Sequence, residues 1–327
     1  MSGEYAVRAR PRWRRPLVTL VFVLALVTSA GVVAWQYGIN PLATTGVCSV
    51  EFDDGTDVEL DTEQAENASL MAAVAQQRGL PARAVSIAIT TAYQESKIRN
   101  VEDGDRDSIG LFQQRPSQGW GSQRQIMRPS YAINAFYDRL ETVDGYRSMD
   151  MHDAAQAVQR SADGGAYEQH ELPARALASA LTGNSPATFS CNIDAPDDSE
   201  QPERRNGLTS NANTMLRDVE RAFGELSTGG YAPGGVDSGH SEGSAHYDGR
   251  AVDFFFKPVN ADSKLAGWAV AHYVVANAER LEVRTVIYDD KIWTASRSSA
   301  RWRDYDAPDG ANQQTLRHLD HVHVDVA

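Results

Sequence analysis

The chain has 327 residues and a formal net charge of −13. That length accommodates two domains with sizeable cores. The acidity excludes nucleic acid as a partner, because phosphate binding needs a basic surface.

Residues 1–16 form a basic arm containing Arg8, Arg10, Arg12, Arg14 and Arg15. An uncharged run follows and predicts a transmembrane signal anchor over 17–36, since about 19 apolar residues suffice to cross a hydrocarbon core as a helix. The arginines would stay in the cytoplasm and place the rest of the chain outside. The expected localisation is therefore the cell membrane, single-pass, with an extracytoplasmic C-terminus. The alternative is a secreted chain whose signal is cleaved near Thr28-Ser29-Ala30. Residues 37–62 read as a linker.

Apolar residues at three- and four-residue spacing predict helices over 65–78, 82–96, 132–143 and 152–160. Gly79, Pro81, Gly104, Pro116, Pro129 and Gly145 punctuate them. An all-helical domain is expected over 63–191. Cys48 and Cys191, the two cysteines, bracket it. In an exported chain they read as a disulfide closing a loop of roughly 140 residues, worth about 5 kcal/mol before strain; the alternative is a pair of free thiols.

Residues 192–206 are acidic, contain Pro196 and Pro202, and read as a second linker. From 207 to 327 the pattern is α+β. Helices are expected over 211–223 and 263–279, and strands over 251–256 and 321–326. A hairpin over 283–294 turns at Asp289-Asp290. The predicted fold class is thus multidomain: an N-terminal transmembrane helix, an all-α domain, and an α+β domain with an antiparallel sheet.

Two motifs carry chemistry. In the first half, Glu95-Ser96 closes a helix, and Ser108-Ile109-Gly110-Leu111-Phe112-Gln113-Gln114 follows as a turn. The pair resembles the lysozyme-like lytic transglycosylases and goose-type lysozymes, and is close to a set of exported actinobacterial proteins. The resemblance implies a lysozyme-like fold, Glu95 as the catalytic acid and then base, and Ser108, Gln113 and Gln114 as substrate-binding residues. Glycosidic cleavage needs a protonated carboxyl at the leaving oxygen. Packing of Glu95 among Tyr93, Ile98, Leu111 and Phe112 would keep it protonated. The family's N-acetyl-sugar substrate stands in for a second carboxylate. Where that family carries Tyr-Asn-Ala-Gly, this chain has Val158-Gln159-Arg160-Ser161, so the polar partner of the saccharide is unassigned.

In the second half, Ser244-x-His246-x-x-Gly249-x-Ala251-x-Asp253 is followed far along the chain by Asp320-His321-Val322-His323. Alternate strand residues share a face, so His321 and His323 can both face one centre. The pattern resembles the zinc D,D-peptidases and murein endopeptidases of the lysostaphin, D-Ala-D-Ala and hedgehog-like group. It implies Zn2+ held by His246, Asp253 and His323, with His321 as a catalytic base or transition-state stabiliser and Ser244 binding substrate. Asp320 would point to the other face. Ala232 lies where an Arg would hold a peptide carboxylate. His240 is either an outer group of the site or part of a flexible Gly-Ser loop. His272 and His318 read as structural or solvent-exposed, and Tyr288, Trp293 and Trp302 as sheet packing.

Together the motifs predict a membrane-anchored extracytoplasmic peptidoglycan hydrolase that cuts glycan with the first domain and peptide with the second. Its partners would be peptidoglycan and the cytoplasmic membrane. The alternative is a non-catalytic wall-binding scaffold with degenerate enzyme folds.

Overall fold

The computed structural model describes residues 45–51, 57–160, 165–197 and 201–327. The arm 1–16 and the expected anchor 17–36 lie outside them. Among the described residues no helix is long and apolar enough to cross a membrane. The longest have 16 residues, about 24 Å at 1.5 Å per residue against a hydrocarbon core of about 30 Å. The fold class and the single-pass localisation are corrected accordingly: a membrane-spanning helix is not part of the architecture that the structure supports.

The first half is not all-helical either. Strands β1 (Val47–Glu51), β2 (Asp57–Asp61) and β3 (Phe189–Asn192) form an antiparallel sheet in the order β2-β1-β3. Cys48 sits directly opposite Cys191 in the β1–β3 register, and the two form a disulfide. The stretch that reads as a linker by composition becomes strand because Val50 and Leu60 are buried beneath it.

Helix α1 (Thr62–Gln77) opens on a capping box. Asp61 Oδ1 accepts from the Gln64 N–H at 3.0 Å and Gln64 Oε1 from the Asp61 N–H at 3.0 Å. Helix α2 (Ala82–Ser96) starts after Pro81 and stops where Lys97 and Ile98 both take left-handed backbone angles, turning the chain back. Helices α3 (Pro129–Leu140), α4 (Met151–Gln159) and α5 (Glu171–Leu181) complete the bundle.

The second half pairs α6 (Ser210–Phe223) and α7 (Ala261–Ala276) with six antiparallel strands. These are β4 (Thr228–Gly229), β5 (Ala251–Phe255), β6 (Val283–Tyr288), β7 (Lys291–Thr294), β8 (Arg303–Asp304) and β9 (His321–Val326), in the order β4-β5-β9-β6-β7-β8. The β6–β7 hairpin turns at Asp289 and Asp290, φ 47° and 63°, the pair of positive angles that a two-residue hairpin turn needs. The strand period of two splits the sheet. Val252, Phe254, Val322, Val324 and Val326 are fully buried in the core with Trp268 and Val270 of α7. Asp253, Ile287, His321 and His323 line a cavity.

Residues 44–327 form one compact unit, and its seam runs through α7. His272 Nδ1–H donates to the Ala180 carbonyl at 2.8 Å, Asn277 Nδ2 to Ser69 Oγ at 3.1 Å, and Trp293 Nε1 to the Cys191 carbonyl at 3.2 Å. A Cβ on Gly183, whose φ is +79°, would lie 2.1 Å from the Leu265 carbonyl oxygen, so glycine is required for this approach. Beside the seam, Asp218 accepts from Tyr273 Oη at 2.7 Å and from both terminal nitrogens of Arg280. Burial opposes the Asp218 charge, and Arg280 more than offsets it.

His272 is fully buried with no partner for Nε2 among the described residues, and burial pushes it down to about 4. The unfolded chain therefore takes up this proton before the folded one does. The stabilising difference is complete above an unfolded value of about 6.5 and falls by about 3 kcal/mol as pH drops through 6.5 towards 4. Urea midpoints at pH 7 and pH 4.5 should show this loss in the wild type and a shallower one in His272→Gln; equal slopes would assign the loss elsewhere.

Candidate metal centre and a companion glutamate

Strands β5 and β9 pair so that Asp253 stands directly opposite His323, which brings a carboxylate and an imidazole side by side on the cavity face. His246 enters from the loop before β5. Gly249, at φ +63°, lets that loop pass the Gly207 carbonyl, which a Cβ would approach to 2.3 Å. Gly230 is needed for a second reason: a Cβ there would fall 2.4 Å from His246 Nδ1.

Three donor atoms converge. His246 Nε2 lies 3.1 Å from His323 Nδ1 and 3.2 Å from Asp253 Oδ1, and His323 Nδ1 lies 3.1 Å from that same oxygen. With bonds of about 2.0–2.1 Å, a tetrahedral ion separates its ligands by about 3.3 Å. The triangle therefore fits such an ion with little adjustment, and two nitrogens with one carboxylate oxygen are donors that divalent transition metals accept. His240, His246 and Asp253 also form a group whose ligand atoms all lie within 4.8 Å of one another. The molecule thus contains a cluster able to hold a metal.

The outer partners fix which atom of each imidazole faces inward. His246 Nδ1–H donates to the Gly230 carbonyl at 2.7 Å, leaving Nε2 for the centre. His323 presents Nδ1, and its Nε2 lies 3.7 Å from Asp325 Oδ2. Burial works against charge on His323, yet the carboxylates of Asp253 and Asp325 lift it to about 9. Burial likewise opposes the charge on Asp253, but the imidazoles of His246 and His323 beside it hold it well below the usual carboxylate range.

His321 stands on the same face with Nε2 3.8 Å from Asp253 Oδ1. Its Nδ1 meets Asp320 Oδ1 at 2.8 Å, which corrects the expectation that Asp320 points away. Asp320 precedes the strand, so its side chain is free of the alternation and folds back onto its neighbour. Burial raises Asp320, while His321 and Lys257 (Nζ 3.2 Å from Oδ2) outweigh that and lower it. Ser244 lines the same cavity, of about 1010 Å³. His318 lines it too, its ring 4.6 Å from that of His321. Burial pushes His318 down to about 3. Five of the eight histidines thus border one cavity, which makes it the densest concentration of metal donors among the described residues.

Glu95 sits in the first half, half-buried at the end of α2. Tyr167 Oη donates to Glu95 Oε1 at 2.6 Å. The turn beneath it is held to the helix end by Ser96 Oγ on the Leu111 carbonyl at 2.7 Å, and to α4 by Gln159 Nε2 on the Phe112 carbonyl at 2.6 Å. Gln159 therefore braces the turn that packs against the Glu95 helix end. Gln113 is half-buried, with a left-handed φ of 47°. Ser108 is buried. Gln114 is 1% exposed and donates to the Ala132 carbonyl at 3.1 Å; the structure makes it a brace of the turn, not a group presented to a saccharide.

Sequence reasoning missed Tyr167, Asp325 and the Gly230 carbonyl. Only Asp325 carried a local signal, since it continues the alternation of His321 and His323.

The family of the VldE C-terminal domain matches residues 204–316. That span is less than half of the chain; it contains His240, His246 and Asp253 and stops before His321 and His323. No curated protein matches the chain.

Proposed function

We propose that the protein is an extracytoplasmic peptidoglycan hydrolase with two chemistries: peptide cleavage at the His246–Asp253–His323 centre and glycan cleavage at Glu95. The observation that carries the reading is the triangle of donor atoms, 3.1–3.2 Å on each edge, with the Asp320–His321 pair beside it in one cavity. His246, Asp253 and His323 would hold zinc. When bound there, zinc supplies Lewis acidity that polarises a scissile carbonyl and acidifies water.

The protein's own groups do the rest. Asp320 fixes the proton of His321 on Nδ1 and leaves Nε2 as acceptor, so His321 can take a proton from attacking water and return it to the leaving amine. Ser244 lies where a substrate carbonyl or amide can meet its hydroxyl. At the other site, Glu95 would protonate the glycosidic oxygen, with Tyr167 holding the carboxyl in one orientation. The disulfide supports an oxidising compartment, where such bridges persist.

Mass analysis of muropeptides after incubation with purified peptidoglycan tests the proposal. The wild type should release anhydro-muropeptides with cut stems. Glu95→Gln should stop glycan cleavage and leave peptide cleavage intact, and the His246→Ala, His323→Ala variant should do the reverse. Intact peptidoglycan after incubation with the wild type would refute it.

A further inference from the structure

The loop between β4 and β5 carries a histidine with no part in the chemistry above. His240 lies six residues before His246, and its ring stacks on that of His246, with centroids 3.9 Å apart and planes 25° apart. Its ligand nitrogen is within 4.8 Å of the donor atoms of His246 and Asp253. Two hydrogen bonds to one side chain hold it there: its N–H donates to Tyr247 Oη at 3.1 Å, and Tyr247 Oη donates to its carbonyl at 2.7 Å. The segment is hinged on both sides. Gly239 and Gly243 have φ of 92° and 75°, and a Cβ on either would meet nothing within 4 Å, so open space surrounds backbone that only glycine adopts freely.

We propose that His240 is a removable fourth protein ligand of the metal centre, a latch that closes the coordination position left open by His246, Asp253 and His323. The proposal rests on the metal-centre reading above. A set of three protein ligands leaves one position for water or substrate, whereas four protein ligands make a closed site. The three inner donors already stand near tetrahedral spacing, and the His240 nitrogen lies within 4.8 Å of two of them, against about 3.3 Å between the ligands of a tetrahedral ion. Rotation about Gly239 and Gly243, with loss of the Tyr247 clasp, would swing it out and open the centre. The closed state retains the ion and the open state admits substrate. The chain thereby holds back its own hydrolytic site until a ligand displaces the loop.

Cobalt(II) bound to the full chain reports coordination through its visible spectrum, and azide reports whether a position is open. Wild type and His240→Ala should each hold one equivalent of cobalt. The variant should show a changed spectrum and at least about tenfold tighter azide binding, as follows if the open state makes up about a tenth of the wild type. Tyr247→Phe, which keeps His240 but removes its clasp, should shift azide affinity the same way by less. Equal azide affinity and an unchanged spectrum in His240→Ala overturn the latch and leave the metal centre standing. Loss of cobalt from His240→Ala to the level of His246→Ala also overturns it, because His240 would then be obligatory. A wild type that takes up no cobalt removes the metal centre and the latch together.

Discussion

His246→Ala should lose zinc affinity by more than the roughly 10–100-fold that removal of an outer partner costs, while Asp325→Asn should fall within that interval. The first removes one of three converging donor atoms; the second removes only the carboxylate that faces His323 Nε2 at 3.7 Å. Competition against a chromophoric chelator measures both. The ordering is the informative part: equal affinities for His246→Ala and wild type would mean that the triangle of donors does not bind the ion at all. The same experiment has a pH arm. His323 is lifted to about 9, so its proton must leave before the ion is bound, and affinity should rise with pH across the neutral range until that proton is gone.

Replacing both Cys48 and Cys191 by alanine should lower stability by about 5 kcal/mol in the chain-entropy model, since the bridge spans 143 residues. The effect is expected to be large because of what the bridge ties together. It joins β1 to β3, and β3 in turn is held to the second half by Trp293 Nε1 on the Cys191 carbonyl and by Trp302 Nε1 on the Phe189 carbonyl at 2.8 Å. Urea unfolding of the oxidised wild type and the double variant, followed by tryptophan fluorescence, reads this directly. Coincident midpoints would show that packing alone holds the sheet.

Much of the second half was legible because its signal is local. The hairpin followed from Asp289-Asp290 between two apolar runs, and the shared face of His321 and His323 followed from a period of two. The first half was legible as helices but not as a sheet. Residues 47–51 and 57–61 look like linker by composition; they pair with each other as strands, and 47–51 also pairs with 189–192, more than a hundred residues away. The expected membrane-spanning helix found no support among the described residues. Gln114 illustrates another limit: motif position suggested a ligand contact, but its burial against Ala132 decides otherwise.

The sequence by itself determined which residues are candidates for chemistry here: Glu95 at a helix end, His246 and Asp253 in one motif, His321 and His323 on one strand. Motif resemblance marks the first three, and the strand period of two puts the last pair on one face. Only the tertiary structure decided which nitrogen of each imidazole points inward, that Asp320 turns back to His321, that Tyr167 reaches Glu95 across the bundle, and that His240 leans on the centre. Those outcomes depend on strand register, on carbonyls such as Gly230 brought close by packing, and on a core shared by both halves. Contacts of that kind are selected by burial over long chain separations, where no local pattern encodes them.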